Sequence, residues 1–558
     1  MAEHTTVAEA FQATAAAHPE RTALRTKGDE FSITWREYAD RVRDTAGGLA
    51  ALGLERGQAI GILLTNRPEF HWFDTAALHL GGTPFSLYNT YTREQLEYQL
   101  TDAQARILVT ERAFAERVDG LECIDHLIVV EDHELPEPPD GFDFDTAWKA
   151  VEPGDLLTLI YTSGTTGPPK GVEITHANMV ATIQGIHRII EFPDDGRLVS
   201  WLPMAHIAER NCTHYLPMFV GFSTTCCPDP RQVVAYLPEV RPTWFFAVPR
   251  IWEKLKAAIE AGIEAEQDDE RKRATKWALD LGLRKARGEE VDPEEHAKAD
   301  ELVLSKIRAM LGLDQAESVN VGAAPTPPEV IEFFHAIGIP LAELWGMSET
   351  TGYGAVNPPD AIRIGTVGPP APGAEMKLAD DGEVLIRGPF ITTGYRNQPE
   401  KTSEAIDADG WLHTGDIGEF DDAGYLKLVD RKKELIINAG GKNMSPANIE
   451  AKLKAASPVI GQAIAIGDGK PYNVALITLD PDVAPAFEQQ QGRDALLAEV
   501  ERGVEAANEH LARVEQIKRF KLLTDDWQPG GDELTPTMKL KRKPINEKYA
   551  EEIEALYT

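Results

Sequence analysis

The sequence predicts an α/β fold: a large N-terminal domain of α/β layers carrying a small β unit, followed by a small α/β C-terminal domain. Three observations predict it. Short apolar runs such as 58–64 (QAIGILL), 156–161 (LLTLIY) and 244–248 (WFFAV) recur between helix-like stretches, the alternation of layered α/β folds. From Gly382 the pattern turns strand-rich with glycine-containing turns. Beyond Asp430 to Lys433 the helix and strand alternation starts afresh, which divides the chain into residues 1–431 and 432–558.

Taken in order, 58–64 reads as a buried strand, 69–80 as the helix after it, and 105–109 as the next strand. The run 156–161 is a buried strand that leads into a loop rich in Thr, Ser, Gly and Pro, and 199–202, 244–248 and 319–321 repeat that theme. Residues 252–313 are dense in Ala, Glu, Lys and Arg and read as helices, with EAEQDDERKRA as a solvated helix face. GEVLIRGP and 425–429, joined through turns such as 422–424, form the antiparallel β unit. The C-terminal module carries a helix from 448 to 455 and strands at 463–467 and 474–479.

Composition narrows the function. The 558 residues carry a net charge of −34. Such a field repels phosphate backbones, so nucleic acid is not an expected partner, and an anionic ligand needs a local cluster of cations and N–H groups. Four cysteines, Cys123, Cys212, Cys226 and Cys227, show no metal or CxxC spacing and are expected as buried free thiols of a reducing, cytoplasmic compartment. The first residues lack an apolar signal region, and no uncharged stretch reaches the roughly 18 residues that span a bilayer.

The strongest chemical signal is 161–172, YTSGTTGPPKGV. Gly164, Gly167 and Gly171 allow close backbone approach, Thr162, Ser163, Thr165 and Thr166 add hydroxyls, and Lys170 adds a cation. The spacing is not that of a Walker A loop. This string resembles the phosphate loop of the adenylate-forming superfamily: acyl-CoA synthetases, nonribosomal adenylation domains and luciferases. VGAAP (321–325), WGMSET (345–350), WLHTGD (411–416), DRKKE (430–434) and TPTMKLKR (535–542) follow in that family's order.

The resemblance implies a reaction that joins a carboxylate to the α-phosphate of ATP, releases pyrophosphate, and then forms a thioester with coenzyme A. It implies that Thr162, Ser163, Gly164, Thr165, Thr166, Gly167 and Lys170 grip the β- and γ-phosphates, with Thr166 and Glu349 on Mg²⁺. Gly322, Ala323, Ala324, Trp345, Gly346 and Met347 would wall the adenine slot, with Ser348 continuing the nucleotide site. Trp345 stands where the family usually has Tyr, which keeps a stacking face and loses a phenolic hydroxyl. Asp416 would accept the ribose hydroxyls and Arg431 would support the ribose and phosphate side. Lys433 is the implied hinge of a mobile C-terminal domain. Lys539 is the implied adenylation lysine, although Met538 stands where Gly is usual and the run MKLKRK alone reads as a solvated basic tail. Gly440, Gly441 and Lys442 are the implied coenzyme A side loop; by themselves they read as a hairpin turn.

LPMAHIAER (202–210) resembles the long-chain and bubblegum-type acyl-CoA synthetases, as does the helical insert after PRIWE (249–253). His206 would flank the acyl carboxylate; alone it reads equally as a structural hydrogen-bonding residue. The expected substrates are therefore a fatty acid, ATP and coenzyme A, and peripheral membrane contact stays open because fatty acids partition into bilayers. Three alternatives remain at this point: an acyl-AMP ligase serving a carrier protein in trans, a luciferase-like oxidative use of the adenylate, and a non-catalytic ATP- or acyl-binding scaffold.

Overall fold

The computed structural model describes residues 4–132, 134–162, 168–438, 442–535 and 538–558. The first apolar run becomes the strand Ala59–Leu63, buried along its whole length. It lies between Thr83–Ser86 and Ile107–Thr110, with His126–Val129 at the edge, all four parallel. Burial on both faces is why this strand is continuously apolar rather than alternating. The helix Pro68–His79 follows it and starts on proline, whose missing N–H costs nothing in the first turn.

The second parallel sheet positions the site. Trp244–Ala247, Ser318–Val321 and Leu341–Trp345 run side by side in one direction, and Ala355–Val356 closes the edge antiparallel. Between the first two strands comes the predicted helical stretch, resolved into Pro249–Ala265, Asp269–Ala286, Pro293–Ala299, a π-helical Asp300–Leu304 and Ser305–Leu311. A third layer, mostly parallel, was evident in the apolar runs only through 199–202, which falls on Arg197–Ser200. Ser223–Cys226 lies between Arg197–Ser200 and Thr22–Thr26, and Ser32–Thr34 pairs antiparallel at the edge.

The strand Leu156–Thr162 does not simply end in a loop. It returns as Lys170–Thr175, with Thr162 opposite Lys170, so the glycine-rich segment is the connection of a β-hairpin. The β unit is a four-stranded antiparallel sheet in the order Glu375–Leu378, Glu383–Arg387, Leu412–Phe420, Leu426–Arg431. The C-terminal sheet consists of Ile460–Ile466, Asn473–Leu479 and Ile517–Leu522, flanked by the helices Pro446–Ala456 and Arg493–Glu509.

The apolar cores are separate. Buried apolar clusters draw their side chains either from residues up to Leu428 or from Ile436 onward. None among the described residues mixes the two. Each unit therefore has its own core, and polar contacts govern how they meet. All four cysteines are free; Cys226 and Cys227 are buried, whereas Cys123 and Cys212 are half-buried rather than fully so. Among the described residues no helix is long and apolar enough to cross a membrane.

Close packing of the helical insert is directly testable. A Cβ on Gly282, inside Asp269–Ala286, would lie 2.1 Å from the Ala336 carbonyl oxygen, whereas one on Gly262 would meet nothing within 4 Å. Helix propensity alone favours Ala over Gly by about 1 kcal/mol. Gly262→Ala should therefore stabilise the protein, while Gly282→Ala should destabilise it by about 1–3 kcal/mol despite that gain. Denaturant unfolding of the two variants checks this.

Candidate active site

Two motifs meet at the carboxyl ends of adjacent parallel strands. Val321 is in register with Glu343, so Gly322–Ala324 and Trp345–Ser348 leave the sheet side by side. A Cβ on Gly322 would come 3.0 Å from both the Leu344 side chain and its carbonyl oxygen. Ala323 takes a left-handed backbone, φ 68°. At Gly346 a Cβ would fall 2.5 Å from the Gly352 carbonyl carbon. That space is needed by a tight turn in which the Gly352 N–H donates to Met347 O at 2.8 Å and the Thr351 N–H to Ser348 O at 3.0 Å.

The turn presents Glu349, which is buried. Its Oε1 accepts a hydrogen bond from the Tyr395 hydroxyl at 2.8 Å. Lys170 Nζ stands 3.9 Å from the centre of the Tyr395 ring. Burial lowers the Lys170 pKa, and the Glu349 carboxylate opposes that shift. Glu349 Oε2 has no hydrogen-bond partner among the described residues. Tyr395 thus joins two expected site residues, and nothing in the local spacing of the sequence marks it.

Asp416 ties the β unit to the parallel sheet. It lies opposite Arg431 across the strands Leu412–Phe420 and Leu426–Arg431. Arg431 Nε reaches Asp416 Oδ1 at 2.6 Å. The Trp345 indole N–H donates to Oδ2 at 2.8 Å. Burial raises the Asp416 pKa against the pull of Arg431 and the indole. The indole at 345 thus supplies a hydrogen-bond donor to the carboxylate expected to face ribose.

Lys539 reaches this group from the C-terminal unit. Its backbone is clamped to Thr535, with Thr535 N–H to Lys539 O at 2.8 Å and Lys539 N–H to Thr535 Oγ1 at 3.0 Å. Its side chain is exposed. Desolvation by neighbouring protein atoms lowers its pKa, as does the Arg431 charge, while Asp416, Glu434 and Glu349 raise it. Met538 before it adopts φ 64°, the left-handed region that glycine favours. The position has kept the backbone of a glycine without keeping the residue.

His206 feels the charge of the same lysine. Its Nδ1 accepts the Ala208 N–H at 3.2 Å, so the neutral ring carries its proton on Nε2. Burial, followed by the Lys539 charge, pushes its pKa down to about 4. The residues after it are structural. Glu209 accepts the N–H groups of Trp201 at 3.0 Å and Leu202 at 3.2 Å and the Thr213 hydroxyl at 2.6 Å, which holds the loop carrying His206. Arg210 is fully buried, paired with Asp74 and bonded to Tyr215 and Ser86. Sequence alone could not separate these roles from substrate contact.

The remaining expected residues are placed as follows. Thr162 is half-buried, and Lys433 is exposed on the segment that leaves the β unit. Lys442 is exposed; it closes a hairpin with Asn438, between Ile436–Ile437 and Asn443–Met444. Ser163, Gly164, Thr165, Thr166, Gly167, Gly440 and Gly441 lie outside the described residues.

A cleft that gathers Lys170, Arg431 and Lys539 in a chain of charge −34 is built for an anion. Comparison with known proteins agrees. Residues 11–396 match the AMP-binding enzyme model, and residues 433–558 match the AMP-binding enzyme C-terminal domain. The chain belongs to the AMP-binding enzyme family. A putative fatty-acid–CoA ligase, fadD11 of Mycobacterium tuberculosis, is 50% identical over 435 residues, 75% of this chain and 76% of that protein. The long-chain-fatty-acid–CoA ligase FadD15 of the same organism is 34% identical over 563 residues, covering 94% and 92%. The adenylation domain of a Mycobacterium chelonae carboxylate reductase superposes with a TM-score of 0.77 at 20% identity, covering 99% and 91%. It shares the fold.

The strained residue beside Lys539 gives a test. A non-glycine residue in the left-handed region costs about 1–2 kcal/mol. Met538→Gly should leave the C-terminal unit at least as stable, and the β-branched Met538→Val should weaken it. Hydrogen exchange of the Ile517–Leu522 strand and the segment around Thr535 reports both.

Proposed function

We propose that this protein is an ATP-dependent fatty acid–CoA ligase that forms an acyl-AMP with release of pyrophosphate and then an acyl-CoA. The observation that carries this reading is the buried Asp416 gripped by Arg431 and the Trp345 indole, together with Glu349 bonded to Tyr395 and Lys170 over the Tyr395 ring, with Lys539 of the C-terminal unit within electrostatic reach. The names of the two mycobacterial relatives support a fatty acid, and FadD15, with the PRIWE segment and its helical insert, supports a long one.

In the first half-reaction a carboxylate oxygen attacks the α-phosphorus and pyrophosphate leaves, so two anions must be held in line. Lys539 bridges the acyl carboxylate and the α-phosphate. His206 is neutral and offers its Nε2–H to the carboxylate. Lys170 and the loop hydroxyls hold the β- and γ-phosphates. Trp345, Gly322–Ala324 and Gly346–Ser348 form the base slot, while Asp416, oriented by Arg431 and the indole, accepts the ribose hydroxyls. Bound Mg²⁺ would neutralise phosphate charge; the open Oε2 of Glu349 and the Thr166 hydroxyl fit a hard cation. In the second half-reaction the coenzyme A thiol attacks the acyl carbonyl and AMP leaves. The 432–558 unit turns about Lys433 to bring Gly440, Gly441 and Lys442 alongside the thiol arm. The free thiols suit a cytoplasmic enzyme.

Incubation with ATP, Mg²⁺, coenzyme A and a panel of fatty acids should yield AMP and long-chain acyl-CoA by mass spectrometry; acyl-AMP without acyl-CoA would mark a carrier protein as acceptor. Lys539→Ala should lower fatty-acid-dependent pyrophosphate release by about 10²–10³-fold and spare thioester formation from supplied acyl-AMP. Equal losses would sink the assignment of Lys539. The active form of this lysine is the ammonium, and its pKa is lowered from 10.5. Adenylation should therefore lose rate on the alkaline side below pH 10.5, and Lys539→Arg should move that limb upward.

A further inference from the structure

The PRIWE segment, singled out in the sequence as long-chain-like, has no part in the chemistry above. It opens the Pro249–Ala265 helix at the carboxyl end of the Trp244–Ala247 strand, on the edge of the sheet that carries the site. Trp252 fixes the rotation of that helix. It is fully buried and packs edge-on against Phe245 at 5.7 Å and Phe334 at 4.9 Å. With Trp252 turned inward, Arg250 and Lys254, four residues apart, share the other face.

That face meets the C-terminal unit through charge. The Arg250 guanidinium pairs with Asp480, and its Nη2 also donates to the Ile460 carbonyl at 3.4 Å. Glu253 Oε2 steadies the other arm at 3.3 Å. Lys254 Nζ meets Asp482 Oδ2 at 2.7 Å. Asp480 is pre-set for its partner: it is 3% exposed, and its Oδ1 accepts the N–H groups of Asp482 at 2.9 Å and Val483 at 3.1 Å. Two cations one helical turn apart thus match two acids two residues apart. Among the described residues no apolar cluster joins the units, so these contacts bear on the pose more than buried area does.

We infer that Arg250 and Lys254 are positioning residues for adenylation: by holding Asp480 and Asp482 they dock the C-terminal unit in the pose that delivers Lys539. This rests on the ligase reading above. Both pairs must part before the unit can turn to the thioester-forming pose. The exposed Lys254 pair contributes little and is screened by salt. The Arg250 pair dominates, because removing the guanidinium leaves Asp480 without its cation in a mostly desolvated place. When the unit turns, all four groups regain water, which makes the contact releasable.

The test separates the half-reactions in the full-length enzyme. Arg250→Ala should lower fatty-acid-dependent ATP–pyrophosphate exchange by about tenfold, the scale of one partly buried pair, with acyl-CoA formation from supplied acyl-AMP unchanged or faster. Arg250→Lys should retain more exchange than Arg250→Ala. Lys254→Asp should lower exchange less and more visibly at low salt, and Lys254→Asp combined with Asp482→Lys should restore it. Independently of any substrate, trypsin should cut the Arg431–Lys433 segment faster in Arg250→Ala than in the wild type. Equal loss in both half-reactions, failure of the charge exchange to restore, or unchanged exchange with unchanged cleavage would each overturn the inference. A wild type silent toward every fatty acid, with cleavage still accelerated in the variant, would defeat the ligase reading and uphold the docking role.

Discussion

One buried carboxylate holds the site together. Asp416 is reached by a strand of the antiparallel β unit, by the indole at the end of a parallel strand, and by the guanidinium of the last residue before the segment that leads into the C-terminal unit. A carboxylate taken from water needs a cation and donors or it takes up a proton. Arg431 and Trp345 meet that need, which fixes both at the base of the cleft. Arg431 then contributes positive charge at Lys539, whose own pKa is lowered partly by it. The local field of the cleft, opposite in sign to the whole chain, follows from this one requirement.

How much was legible in the sequence depended on burial. Strands buried along their length stood out: 58–64, 244–248 and 319–321 fall within two residues of the parallel strands Ala59–Leu63, Trp244–Ala247 and Ser318–Val321, and 156–161 of the antiparallel but buried Leu156–Thr162. Glu375–Leu378 (EMKL) is largely exposed and polar, and Lys170–Thr175 begins inside a string that reads as loop; neither carries an apolar signature. In the site, the motif residues were legible through resemblance. Their partners were not. Tyr395 lies 46 residues from Glu349, and the Trp345–Asp416 bond spans 71 positions, so only tertiary folding brings them together. Glu209 and Arg210 show the opposite failure: they sit in a motif that points to substrate, yet their side chains are used up within the protein.

His206 had two readings, ligand contact and structural hydrogen bonding, and the geometry lets both hold on different nitrogens. Nδ1 is occupied by a backbone N–H, and Nε2 keeps its proton. With its pKa near 4, the ring carries no charge at neutral pH. It can orient an anion but not neutralise one. Charge neutralisation falls to Lys539, Lys170 and Arg431, and two of these three stand on or beyond the junction of the units. A site whose chemistry needs that charge is therefore complete only while the C-terminal unit is docked.

That dependence explains why the junction is polar. Burial of apolar surface stabilises a contact by roughly 25 cal/mol per Å², without direction and without easy release. A unit that must arrive and leave within a catalytic cycle is better held by contacts that water can replace. Arg250 with Asp480, Lys254 with Asp482 and Asp430 with Ser445 are all of that kind. The close approach of Gly530 to Thr90, where a Cβ would come within 2.7 Å of the hydroxyl, adds shape to charge. Together they select one orientation without fusing the two cores.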